Sequence, residues 1–210
     1  MIVSESATSS AICEDKSILR KKVLAVRNAL TKDEISEKSD RIFNKLSQSA
    51  QYRRAQSVLI YASMGSEVMT DSVIQDCLFA GKRVFCPKVT DLKNRKMNFV
   101  QIHTPEDLKA GFHGIREPEI SDDSIIFSEN TVKDIPEEIP LVIMPGVVFD
   151  RHRNRIGYNG GFYDTFLEAN PKLNTIAIAF SLQISDDEIP HDKHDIKPAM
   201  IITEDFIISA

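Results

Sequence analysis

Apolar residues recur at helical spacing between Lys16 and Leu30, at Ile18, Leu19, Val23, Val26 and Leu30, while Lys16, Arg20, Lys21 and Arg27 fall on the other faces. The pattern predicts an amphipathic helix. Thr31-Lys32-Asp33-Glu34 then matches a capping box, and Ile35, Ile42, Phe43 and Leu46 carry a second helical stripe towards Gln48. Ser57 to Ala62 reads as the first strand. A loop follows from Ser63 to Thr70, and Asp71 can cap a helix bearing Val73, Ile74, Cys77 and Leu78 up to Gly81. Further apolar runs predict strands at Arg83 to Cys86, Met97 to Ile102, Leu141 to Met144, Thr175 to Ala179 and Met200 to Thr203. Strands alternating with helices point to βα units, a mainly parallel sheet, and ligands gathered beyond the carboxyl ends of the strands. His103 to Pro140 sustains no period and is rich in Gly, Pro, Asp and Glu, which predicts a long surface connection.

Between the strand ending at Met144 and the helical pattern Tyr163, Phe166, Leu167 lies Asp150-Arg151-His152-Arg153-Asn154-Arg155-Ile156-Gly157-Tyr158-Asn159-Gly160-Gly161-Phe162-Tyr163-Asp164. Strand, glycine-bearing basic loop and helix start are the parts of an anion site. Glycines let backbone N–H groups approach a phosphate, the helix N-terminus is partly positive, arginines add charge-assisted hydrogen bonds, and Asp164 could hold a divalent metal. The residues alone leave a second reading open, an ordinary basic surface turn with Phe162 and Tyr163 in the core, because neither a G-x-x-x-x-G-K-[ST] nor a G-x-G-x-x-G spacing is present.

Pro145-Gly146, Phe149-Asp150, Asn154-Arg155-Ile156-Gly157 and Gly160-Gly161-Phe162-Tyr163-Asp164 together resemble the signature of the 5-formyltetrahydrofolate cyclo-ligase (methenyltetrahydrofolate synthetase) family. The resemblance runs from about Lys16 to Glu204. It implies a single three-layer α/β/α domain over residues 16–210, of the fold shared with sugar-phosphate isomerases and CoA transferases. The activity implied is ATP- and Mg²⁺-dependent cyclisation of 5-formyltetrahydrofolate to 5,10-methenyltetrahydrofolate, with ADP and phosphate released. A folate- or nucleotide-binding module without turnover is the alternative on the same fold.

Carried over residue by residue, the resemblance implies that Lys16 and Arg20, from Lys16-Ser17-Ile18-Leu19-Arg20, contact ATP together with Arg155, Ile156, Gly157, Tyr158, Asn159, Gly160, Gly161, Phe162 and Tyr163. Arg155 and Tyr163 are the expected catalytic residues. Ala62 and Glu67, from Tyr61-Ala62-Ser63-Met64-Gly65-Ser66-Glu67-Val68-Met69-Thr70, are expected to meet the folate, along with Tyr158, Asn159, Gly160, Gly161 and Phe162. A carboxylate at Glu67 can accept two hydrogen bonds from an aminopyrimidine edge. Asp164 and Asp195, the latter in His191-Asp192-Lys193-His194-Asp195, are the implied Mg²⁺ partners. Pro87-Lys88-Val89 and Gly114-Ile115-Arg116-Glu117-Pro118 also match, without assigned roles. Arg153 and Asn159 stand where Gly is usual, Phe162 where Tyr is usual, and Thr165 where Arg is frequent. One acid usual before the last strand is missing near Ala199.

The formal net charge of −5 argues against a nucleic-acid-binding module. Cys13, Cys77 and Cys86 form no C-x-x-C pair, which suits a reducing compartment and carries no zinc signature. Residues 1–15 show neither a positive n-region nor an apolar h-region, and read as a flexible extension. No apolar run has the length of a bilayer span, so the expectation is a cytoplasmic protein away from membranes; the resemblance implies ATP and 5-formyltetrahydrofolate as its partners, with a monomer expected.

Overall fold

The computed structural model describes residues 3–111, 114–128, 139–158 and 160–209, with side chains from residue 12 onward. Helix α1 spans Val3–Asn28. It begins ahead of the Lys16 start suggested by the apolar pattern, so residues 3–15, expected as an extension, form its first turns; no Gly or Pro interrupts this stretch. Helix α2, Lys32–Gln48, opens on the anticipated capping box: Glu34 N–H donates to Thr31 Oγ1 at 3.2 Å, and Thr31 N–H donates to Glu34 Oε2 at 2.8 Å. Two short helices follow, α3 at Ala50–Arg54 and α4 at Asp71–Phe79. Thr70 rather than Asp71 occupies the cap of α4, and it makes no side-chain cap hydrogen bond because its hydroxyl is committed to the Tyr61 carbonyl and the Ser63 N–H.

The central sheet has seven strands. In chain order they are β1 (Ser57–Ile60), β2 (Arg83–Asp91), β3 (Lys96–Ile102), β6 (Leu141–Met144), β9 (Asn174–Ile178), β11 (Met200–Ile202) and β12 (Ile207–Ser209), with β4 (Leu108–Ala110) and β5 (Arg116–Pro118) forming a separate antiparallel pair. Across the sheet the order is β12-β11-β9-β6-β1-β2-β3. The five inner strands are parallel, and the two edges, β3 and β12, are antiparallel to their neighbours. β3 must reverse because the few residues between Asp91 and Lys96 suffice for a hairpin and not for a parallel crossover. The connection expected from His103 to Pro140 holds β4 and β5, and residues 112, 113 and 129–138 within it lie outside the described residues.

Period-two alternation divides the core. Val58 and Ile60 of β1 face one layer with Ile42 and Leu46 of α2 and Ile74 of α4, whereas Leu59 faces the other with Phe85, Val142, Phe149 and Leu167. Helix α5, Phe162–Ala169, lies in that second layer. Both faces of β1 and β6 are thus covered, which is why these strands read as unbroken apolar runs.

A small sheet carries the glycine loop. Strand β7 (Val148–Asp150) pairs antiparallel with β8 (Arg155–Ile156) and parallel with β10 (Ile184–Ser185). Val147, Val148, Ile156 and Ile189 form a separate apolar cluster on which Leu19, Val23 and Leu24 of α1 pack. Helix α1 is thereby seated against the loop that its basic residues are expected to assist.

Candidate active site

A cavity of about 660 Å³ opens beyond the carboxyl ends of β1 and β6, lined there by Tyr61, Ala62 and Pro145. Chain order reverses at this pair, since β1 leads to β2 on one side and adjoins β6 on the other, the place where open α/β sheets gather ligands. Lys16 and Arg20 enter the lining from α1, Glu67 from the loop after β1, Arg155 through Tyr158 and Gly160 through Asp164 from the glycine loop and α5, and Asp195 from the loop before β11. Every described candidate residue therefore meets in one place. Asn159 lies outside the described residues.

The basic loop is not one phosphate loop throughout. The segment from Asp150 to Ile156 is a β-hairpin, and its turn is built by Asp150, fully buried, whose carboxylate accepts from His152 N–H, Asn154 N–H, Asn154 Nδ2 and Ile189 N–H at 2.7–3.0 Å. Burial works to raise the Asp150 pKa, and these donors outweigh it and hold it below the ordinary carboxylate value. Of the three arginines grouped in the sequence, only Arg155 reaches the cavity. Arg151 pairs with Asp186 at 3.4 Å, and Arg153 donates to the Pro198 and Ala199 carbonyls at 3.0 and 3.3 Å. Arg153 adopts φ 65°, the left-handed conformation for which the usual Gly is suited, and its side chain ties the turn to the approach of β11.

Gly157, Tyr158, Gly160 and Gly161 are the glycine-bearing part of the loop that lines the cavity. Gly161, at φ 64°, precedes α5, and a Cβ there would meet Arg95 Nη1 at 3.2 Å. A Cβ on Gly160 would strike the Phe162 ring at 2.3 Å, so this ring packs directly on glycine backbone. Arg20 Nε donates to the Gly157 carbonyl at 2.7 Å, fixing α1 to the loop.

Charges in the cavity are paired across long sequence separations. Arg155 Nη2 donates to Asp164 Oδ1 at 2.7 Å, and Ile196 N–H donates to the same oxygen at 3.0 Å. Lys16 Nζ contacts Asp195 Oδ2 at 2.5 Å and Asp192 Oδ2 at 3.0 Å. Burial would depress the Lys16 pKa, but the two carboxylates raise it above its ordinary value. Asp195 also accepts from Asp192 N–H at 2.8 Å, so residues 192–195 close on themselves as a turn presenting both acids to Lys16. His191 instead bonds the Ile189 carbonyl, and no cluster of three His, Cys, Asp or Glu able to hold a metal occurs among the described residues.

The donor chemistry fits Mg²⁺ held jointly with phosphate. Asp164 and Asp195 both line this cavity, and each has one carboxylate oxygen without a hydrogen-bond partner among the described residues. Mg²⁺ is commonly bound through one or two carboxylates plus phosphate oxygens and waters, rather than in an all-protein cage.

Two buried polar atoms of cavity-lining residues, Arg155 Nε and the Tyr163 hydroxyl, have no hydrogen-bond partner among the described residues, and such groups call for a ligand or water. Burial holds the Tyr163 hydroxyl well above its ordinary pKa, so it is a neutral donor. Glu67 accepts from Met64 N–H at 2.8 Å, and burial raises its pKa in spite of that bond.

Several lining residues escape the sequence reading. Pro87 and Glu117 belong to segments that the family pattern marks without assigning, and Glu117, paired with Lys88 at 2.8 Å, is buried in the wall. Arg95, in the β2–β3 turn, and Cys13, one turn ahead of Lys16, carry no sequence signal that would place them here.

A model of the 5-formyltetrahydrofolate cyclo-ligase family matches residues 12–204. The chain is 28% identical to the Mus musculus 5-formyltetrahydrofolate cyclo-ligase over 84% of its length and 87% of that protein, and 25% identical to the Escherichia coli K12 enzyme of the same name over 84% and 93%. The solved structure of Aquifex aeolicus 5,10-methenyltetrahydrofolate synthetase superposes with a TM-score of 0.74 at 26% identity, covering 92% of each chain.

Proposed function

The chain belongs to the 5-formyltetrahydrofolate cyclo-ligase family, and on that premise we propose that its cavity cyclises 5-formyltetrahydrofolate to 5,10-methenyltetrahydrofolate while ATP is converted to ADP and phosphate. One observation carries this reading. A single cavity joins a cationic glycine loop, suited to a polyphosphate, to an apolar region bearing Glu67, suited to a pterin. We read residues 16–210 as one catalytic domain.

In this mechanism the formyl oxygen attacks the γ-phosphoryl group, ADP leaves, N10 closes on the activated carbon, and phosphate departs. The protein's part is placement and charge neutralisation. Gly157, Gly160, Gly161 and the start of α5 cradle the phosphates, Arg155 supports the transferring group, and Lys16 and Arg20 close from α1. Ile156 and Tyr158 complete the nucleotide wall, and Asn159, outside the described residues, is assigned to the nucleotide by the family pattern alone. Glu67 and Ala62 orient the folate, Phe162 and Tyr163 pack against it, and the unpartnered Tyr163 hydroxyl donates to a substrate oxygen. Asp164 and Asp195 would hold Mg²⁺, which supplies charge neutralisation at the phosphates when bound. Cys13, Cys77 and Cys86 are unpaired, and no described helix is long and apolar enough to cross a membrane, which supports placing the reaction in a reducing aqueous compartment.

Incubation with ATP, Mg²⁺ and 5-formyltetrahydrofolate tests the proposal through the absorbance of the methenyl product. Product formation dependent on all three supports it. Tight binding of folate and nucleotide without turnover would assign the chain to a binding role instead.

A further inference from the structure

Arg27 is 2% exposed, although its hydrogen-bond partners are two neutral groups. Nε donates to Ser66 Oγ at 3.0 Å, and Nη2 donates to the Tyr158 hydroxyl, whose ring centre lies 5.4 Å from the guanidinium carbon. A guanidinium does not shed its proton in a protein. A full positive charge is therefore buried at the junction of α1, the loop after β1 and the glycine loop, and burial of that kind is costly unless a counter-charge or a task offsets it. The same Tyr158 hydroxyl faces the Glu67 carboxylate and lowers its pKa, and Glu67 also feels the Arg27 charge directly.

We propose that Arg27 is a positioning residue for the substrate side of the site: through its bonds to the Tyr158 hydroxyl and Ser66, it supplies the counter-charge for the Glu67 carboxylate and aims it into the cavity. This rests on the assignment of Glu67 to the folate. The groups facing Glu67 come from four elements. They are Arg27 of α1, Tyr61 following β1, Tyr158 of the glycine loop and Tyr163 of α5, with Met64 N–H from its own loop. Burial keeps all three tyrosine hydroxyls above their ordinary pKa and hence neutral. Arg27 is thus the one charged group in this set, and it opposes the desolvation that raises the Glu67 pKa.

Helix geometry gives the arrangement a second consequence. Lys16, Arg20 and Arg27 lie within about 40° of one another around α1 at 100° per residue. The helix face that brings Lys16 and Arg20 to the phosphate end therefore brings Arg27 to the Glu67 end, so that seating α1 organises both halves of the cavity.

Calorimetric titration of 5-formyltetrahydrofolate into the full chain, at about pH 6.5 and about pH 8.5, tests the role with a readout that packing alone would not move. Arg27→Met should weaken folate binding at least roughly tenfold at the lower pH and recover most of it at the higher, because Glu67, its pKa pushed further up, regains its charge as pH rises. Arg27→Lys should restore much of the loss. Tyr158→Phe keeps Arg27 in place, removes only the hydroxyl, and should show the same pH-dependent weakening, which preserves the test if Arg27→Met folds poorly. In an Arg27→Met, Glu67→Gln double variant the two effects should not add. A loss equal at both pH values, or no loss in Arg27→Met and Tyr158→Phe, would overturn the inference while leaving the Glu67 assignment intact. Unchanged folate binding in Glu67→Gln alone would instead remove the assignment on which it rests.

Discussion

Arg155 Nη2 and Asp164 Oδ1 lie 2.7 Å apart across the glycine loop, with the arginine side chain 5% exposed and the aspartate 23%. The pair closes the loop into a ring whose two ends are the proposed phosphate contact and the proposed metal contact. Removing one partner should therefore disturb both duties.

Asp164→Asn should abolish most turnover and raise the Mg²⁺ concentration needed for half-maximal rate, since carboxylate charge is what a hard cation selects. It should also cost about 1–3 kcal/mol of stability, because the buried Arg155 guanidinium keeps an amide oxygen as acceptor but loses its counter-charge. Urea melts and Mg²⁺ titrations of the rate check the two effects separately. Unchanged activity at limiting Mg²⁺ would remove Asp164 from the metal site.

Arg155→Lys retains the charge but loses the planar fork that spans Asp164 and the Pro145 carbonyl. The apparent affinity for ATP should fall while folate affinity changes little. Parallel KM measurements for the two substrates decide the point, and a selective loss of folate affinity would contradict the assignment of the loop to phosphate.

Glu67→Gln preserves shape but sets a donor where an acceptor is proposed. Folate KM should rise by about 10- to 150-fold, the equivalent of about 1.5–3 kcal/mol for a charge-assisted hydrogen bond, with ATP KM nearly constant. A normal folate KM would make Glu67 an ordinary loop residue.

Asp150 supports a prediction in pH. Its folded pKa is depressed, so its stabilising contribution is present above the ordinary carboxylate pKa of about 4 and is lost as pH falls through the lower folded value. Asp150→Asn should flatten the acid-side fall in stability and destabilise the protein at neutral pH, where the substituted amide faces N–H donors. Denaturation midpoints between about pH 2 and about pH 7 measure both effects; an acid limb as steep as that of the parent chain would refute the contribution.

Arg153 separates backbone strain from side-chain contact. Arg153→Ala keeps the left-handed φ and loses both carbonyl contacts, whereas Arg153→Gly loses the contacts and relieves about 1 kcal/mol of strain. Glycine should be the more stable variant in a urea melt, and equal midpoints would show that no strain is held there.

Much of the fold was legible along the chain because its signals are local. Buried strands such as Leu141–Met144 are continuous apolar runs, and the capping box at Thr31 is closed within four residues. That Gly157, Gly160 and Asp164 line one cavity was legible for a similar reason, since these residues, Arg155 and the start of α5 are close together in sequence. Strands of two or three residues carry no period, so the β7–β8 hairpin was invisible, and with it the fact that Arg151 and Arg153 turn away from the cavity while Arg155 turns in. Which charge meets which was equally out of reach: Lys16 finds Asp195 across 179 residues, and Arg27, on a face that reads as polar, is buried against Tyr158. Periodicity records that a side chain has a buried or an exposed face. Only the packing of α1 onto the small sheet decides what that face touches, because contacts between elements depend on how the sheet is ordered and the helices are seated.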